Sequence, residues 1–386
     1  ALTAALVLQV ALNAQDVRTV ETRVADLLAR LPADNQNITI RLMEEMYSLG
    51  DEGMSLICGQ VIPAGTGDDT KARYAISTLT SHLTADKDNV RKSVWEKQCI
   101  RFMKAADQRE VRAFFMKQLN LVGSDAAVTA LADYVRDAEI CDDAVMALQS
   151  VGSDEAHKLL SDAISEGECP CAAQIMVALA DSQYSEAVQS YLNWYAKGDR
   201  AEQAAALYAL AGTGDPAAMP VLIRAAESAG YMWEPTGAVQ ALLLYARAIG
   251  LAGDKRGMEK ITDQVISRSM TPATAGQRLA AMSVVVAVQG EDALPMLLEA
   301  ADDPDIAVRG GALRLAGLMP GEEVTKKWIK KYSKVNQEVK PEILFMLGER
   351  EDELAIPLVL KALNDPSQEI ANEAVSALAK LHGARA

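Results

Sequence analysis

Five cysteines, at positions 58, 99, 141, 169 and 171, are the side chains best suited to chemistry in this sequence. Cys169-Pro170-Cys171 is the sharpest grouping. It stands just ahead of an apolar helical stretch, Ala172 to Ala180, whose N-terminal dipole would stabilise a thiolate for redox work or metal binding. A metal centre needs further ligands, and His82, His157 and His382 lack a ligand-like spacing. The structural alternative is a disulfide. Cys141 and Cys171 are 30 residues apart (171−141), which places them at the starts of equivalent helices in adjacent repeats. Packed helices sit roughly 8–10 Å apart, whereas the Cα atoms of a disulfide come within about 7 Å. Cys169, on the loop before the helix, reaches across more easily than Cys171. The expectation is therefore a Cys141–Cys169 disulfide, with Cys141–Cys171 next, and no metal site. The spacing of Cys58 and Cys99 argues neither for nor against a second bridge.

No catalytic constellation stands out. His157 follows Asp154 by three residues and shares a helix face with it, but without a nearby activated nucleophile this is an ordinary surface pair. No glycine-rich phosphate loop follows a strand. The expectation is no catalytic residue, no cofactor and no enzyme. Partner binding is the remaining chemistry, and it favours aromatic anchors. Tyr231, Met232 and Trp233 lie in an irregular stretch, Ala229 to Gly237, and are the first candidates; Tyr191, Trp194 and Tyr195 are the second. Both groups have a competing reading as plugs of a widened repeat junction, and for the second, at helical spacing, that reading is at least as strong.

The elements that would position these residues recur with a fixed step. Val308 has counterparts at Gln277, Val339 and Ile370, each 31 residues apart (308−277, 339−308, 370−339). Arg278, Arg309 and Lys340 keep the same step, as do Ala281, Ala312, Ile343 and Ala374. Arg278, Arg309 and Lys340 form a ladder expected to pair with turn carboxylates such as Asp305. A shorter phrase marks the repeat boundaries: Gly123, Gly152, Gly214, Gly253, Gly290 and Gly321 each precede acidic residues, as helix C-cap glycines precede carboxylates at the next N-terminus. A period of this kind means a solenoid. Half of the residues are hydrophobic and only 5% aromatic, so the core is built of small aliphatic side chains with high helix propensity. The fold class expected is all-α, a right-handed α-α superhelix.

Net charge is −15, which repels phosphate backbones, and the cluster Lys326, Lys327, Lys330, Lys331, Lys334 is too local for a basic groove. Nucleic acid is therefore excluded as a partner. Residues 1–14 (ALTAALVLQVALNA) carry no charge and are too short for a membrane span, which needs about 20 residues. They fit the remnant of an export signal, the alternative being a first helix from Leu2 to Leu31. Residues 15–120 read as irregular N-terminal helical repeats and 121–386 as regular ones in one continuous solenoid.

The turn Asp303-Pro304-Asp305, the Val308-Arg309 start and the Ala-x-x-Leu helix that follows resemble the HEAT-repeat family, in the short bacterial form of about 30 residues also seen in phycobilisome-lyase-like repeats. The resemblance is strongest over 277–383. It implies a non-enzymatic scaffold, exported to the periplasm or cell surface, that binds a protein or presents an adjoining catalytic domain. The overall style is also similar to HEAT regions that precede a 3-keto-disaccharide hydrolase-type domain, which implies the alternative of a helical accessory region in a secreted carbohydrate-active enzyme. No stretch of this chain reads as that domain, since alternating strand patterns are absent.

Overall fold

The computed structural model describes residues 18–382, and the uncharged N-terminal segment lies outside them. The fold is all-α: three quarters of the chain is helical, and no strand occurs among the described residues. The chain forms two compact units, one of residues 1–163 with 169–171 and one of residues 164–168 with 172–386.

In the first unit, helices start where a short polar side chain can take an orphan backbone N–H. Thr19, Asn35, Asp88 and Ser124 each cap the helix that follows. Trp95 and Phe115 fill the core. Beside them the buried Glu96 carboxylate accepts from the Ser124 N–H at 2.7 Å and the Ala127 N–H at 3.1 Å, so a helix start in one repeat is satisfied by a side chain of the repeat before it. Gly152, which ends the helix Cys141–Val151, has φ 61°, the left-handed conformation that glycine adopts without a Cβ penalty. Gly214, Gly253, Gly290 and Gly321 also take positive φ, whereas Gly123 is extended and ends its helix without the left-handed turn.

The second unit stacks helix pairs in two rows. Arg200–Thr213, Ala238–Leu251, Ala275–Gln289, Ile306–Leu318, Lys340–Glu349 and Gln368–His382 pack on one another in succession, while helices of the other row touch their row neighbours only sparsely. The closely packed row is thus the inner side of the unit. Residues 272–300 are together long and apolar enough to cross a membrane, yet Gly290, at φ 59°, breaks them into the helices Ala275–Gln289 and Leu294–Ala300. The longer of these rises only about 22 Å, short of the roughly 30 Å of hydrocarbon.

The polar ladder between repeats is present with different partners from those expected. Arg278 pairs with Asp303 at 2.5 Å, and Arg309 binds both oxygens of Glu342 at 2.7 and 3.0 Å while donating to the Asp303 carbonyl. The hydrogen bonds from Glu342 hold the Arg309 guanidinium above its usual pKa, against the pull of burial. Asp305 is instead the cap of its own helix, accepting from the N–H of Ala307 at 2.8 Å, and Lys340 lies over the Tyr332 ring. A capping carboxylate aimed along its own helix axis is turned away from the neighbouring repeat, which leaves that role to Asp303.

Candidate functional site: an inner groove under Trp233

The loop after the helix Met219–Ser228 is built so that successive side chains go opposite ways. Gly230 and Tyr231 both have positive φ, 58° and 56°. Glycine tolerates this, but tyrosine is strained there by roughly 1–3 kcal/mol. The Tyr231 ring is buried, 5% exposed, and its hydroxyl receives a 2.8 Å hydrogen bond from Gln264. With Tyr231 held inward, Met232 and Trp233 project outward, 50% and 78% exposed. The Trp233 N–H donates at 2.9 Å to Gln277, in the amide orientation that also lets Gln277 donate to the Thr274 carbonyl. Glu234 closes the loop. Its carboxylate accepts from the N–H of Thr236 and of Ala238, 2.8 and 2.9 Å, at the start of the helix Ala238–Leu251. Burial pushes the Glu234 carboxyl up, but those hydrogen bonds win and hold it below its ordinary value.

Beneath Met232 and Trp233 runs a groove of about 680 Å³ between the helices Ala238–Leu251 and Ala275–Gln289. Leu243, Leu244, Ala280 and Val284 line it, with Gln240, Ser283 and Arg247 as polar members. Sequence reasoning missed Arg247; the signal was the spacing Gln240, Leu244, Arg247, Leu251, one outward stripe on a helix. A second groove of about 630 Å³ lies between Ile306–Leu318 and Lys340–Glu349, flanked by Leu318 and Phe345.

The other candidates fall elsewhere. Tyr231 is a buried wedge and makes no open surface. Tyr191 and Trp194 are also core residues, 0% and 5% exposed. The Tyr191 hydroxyl donates to the Tyr184 carbonyl and the Trp194 indole to the Ile164 carbonyl at 2.8 Å. Burial pushes the Tyr191 phenol well up. Their helical spacing put them on the packed face, which is the plug reading. Tyr195, the next residue, is half-buried.

The disulfide joins Cys141 to Cys171, not to Cys169. Both cysteines lie where their helices begin, and there the backbones converge to a Cα separation of 6.1 Å, closer than helix bodies pack. Cys169 is a buried thiol. The Asp142 carboxylate and the two bridged sulfurs lie within 4.8 Å of one another, but sulfurs joined to each other offer no thiolate to a metal. Cys58 and Cys99 are free and buried; burial pushes the Cys58 thiol up to about 12 and Cys99 well above its usual value, so both are inert at neutral pH.

No protein-family model and no curated protein matches this sequence. Solved structures do match by fold. Importin beta crystallised in ammonium sulfate superposes with a TM-score of 0.52 at 13% identity, over 94% of this chain and 54% of that one. Importin beta in polyethylene glycol gives 0.49 at 12% identity, over 94% and 56%. Kap121p gives 0.48 at 11%, over 94% and 49%. The chain spans about half the length of these structures. The fold is thus the right-handed α-α superhelix of the HEAT-repeat solenoids, as the Asp303–Arg309 motif implies.

Proposed function

We propose that this chain is a non-enzymatic scaffold of the cell envelope that binds a protein through the inner groove of its second unit. One observation carries the reading: a strained loop holds Trp233 open to solvent above an apolar groove, while Trp95, Trp194 and Trp328 are all buried. An exposed aromatic fixed over a concave apolar surface is the arrangement of a binding hot spot, and burying such a ring contributes about 2–3 kcal/mol. The carboxylate at the rim, Glu234, spends itself on capping a helix, which supports binding rather than catalysis. The Cys141–Cys171 disulfide supports an oxidising, exported location.

The test is capture from a periplasmic and surface fraction on the immobilised chain, compared with a Met232→Ala, Trp233→Ala double variant of equal thermal stability. A protein retained by the parent and lost by the variant supports the reading. Equal capture by both, or none by either, sinks it.

A further inference from the structure

The groove also describes its occupant. Resting on the scaffold reading, we infer that it receives an amphipathic α-helix of a partner protein, seated by an apolar stripe and carrying a carboxylate where it meets Arg247.

The walls have the phase of a helix seam. On one side the outward residues are Gln240, Leu244, Arg247 and Leu251, with steps of 4, 3 and 4 (244−240, 247−244, 251−247). On the other they are Gly276, Ala280, Ser283 and Ala287, with the same steps (280−276, 283−280, 287−283). Two facing stripes in heptad phase offer holes for the knobs of a third helix. The second wall is built of small side chains, and a Cβ on Gly276 would meet nothing within 4 Å. A partner axis can therefore approach to the short end of the usual 8–10 Å range. From Gly276 to Ala287 the wall is about 16 Å long, three helical turns.

Charge selects the partner further. Arg247 is exposed and makes no ion pair or hydrogen bond among the described residues, although the chain as a whole carries −15. Arg278 and Arg309, one and two repeats further along the same row, are both consumed by internal carboxylates. The other charge on the groove, Glu234, is held by backbone N–H groups. A purely apolar occupant would desolvate Arg247 without compensation, whereas a carboxylate opposite it restores the lost hydration and excludes basic competitors.

The probe is a phage-displayed library of helix-forming peptides about 15 residues long, selected on the full chain and read by iodide quenching of tryptophan emission. Trp233 is the one tryptophan of the four that an aqueous quencher reaches, since the others are at most 5% exposed. The expected outcome is enrichment of peptides with apolar residues in a 4-3 phase and one Asp or Glu near the end of the stripe. Such a peptide shields Trp233, loses about tenfold in affinity, about 1.4 kcal/mol, for Arg247→Glu, and regains it on that variant when its acid is replaced by Lys. Failure to enrich, enrichment without helical phase or acidic preference, or indifference to Arg247→Glu overturns the inference. The two readings fail separately. If capture from the envelope fraction depends on Met232 and Trp233 while the library outcome is negative, the scaffold stands and the helical occupant falls. If peptides bind while capture is unchanged in the double variant, the groove takes helices and the scaffold reading falls.

Discussion

The last repeats of the second unit and the interrupted region around Trp233 are built from the same helix pairs, but they spend their polar groups differently. In the regular part each long cation is absorbed. Arg309 joins Glu342 and the Asp303 carbonyl, and Arg350 donates to the carbonyls of Ala316, Met319 and Gly321 and to the Thr325 hydroxyl, tying off the end of the helix Ile306–Leu318. Around the interruption, Arg247 and the Trp233 ring are left facing outward. Where the period holds, side chains serve the neighbouring repeat; where it breaks, they are released for something else.

The contrast can be broken by experiment, beginning where the effect is largest. Reduction of Cys141–Cys171 releases a loop of 30 residues, and chain entropy sets the loss of stability of the first unit at about 3–4 kcal/mol, measured by urea unfolding with and without reductant. Arg350→Ala strands three helix-end carbonyls and is expected to cost about 3 kcal/mol, whereas Arg247→Ala stays within about 0.5 kcal/mol of the parent. Equal losses at the two arginines would erase the distinction. Two adjacent glycines sharpen it further. A Cβ on Gly311 would overlap the Leu279 side chain, so Gly311→Ala costs about 1–3 kcal/mol, while Gly310 faces open space and Gly310→Ala adds about 0.5–1 kcal/mol of helix stability. The smallest effect is a pH response of the Trp233 loop. Because the Glu234 carboxyl is lower in the folded chain than its ordinary value of 4.5, its stabilisation of the loop is complete above that value and is lost as pH falls through the folded one. Iodide quenching of Trp233 should therefore be flat from neutral pH down to about 5 and change only under more acid conditions.

These residues also mark what could be read before any coordinates. The 31-residue step over Gln277, Val308, Val339 and Ile370 locates the helix pairs because the same apolar position must be buried in every repeat, and Val308 and Ile370 are each 1% exposed. The period predicts that a ladder exists at Arg278 and Arg309. It does not say which carboxylate each meets, because Asp303 and Asp305 differ only in whether the side chain points across the stack or along its own helix. The alternation at Tyr231, Met232 and Trp233 was hidden for a different reason. It depends on a tyrosine held at positive φ, an exception to the residue's own preference, which no pattern of neighbours announces. The choice of Cys171 over Cys169 likewise turned on how closely two helix starts converge.

The bridge between Cys141 and Cys171 also has a mechanical meaning. A chain pulled from its two ends lengthens by releasing one repeat after another, but the residues between these sulfurs are held in a closed ring that carries no tension. The oxidised protein would stop short of the reduced one by about 100 Å of extended chain, since that stretch contributes only the span of the bridge itself.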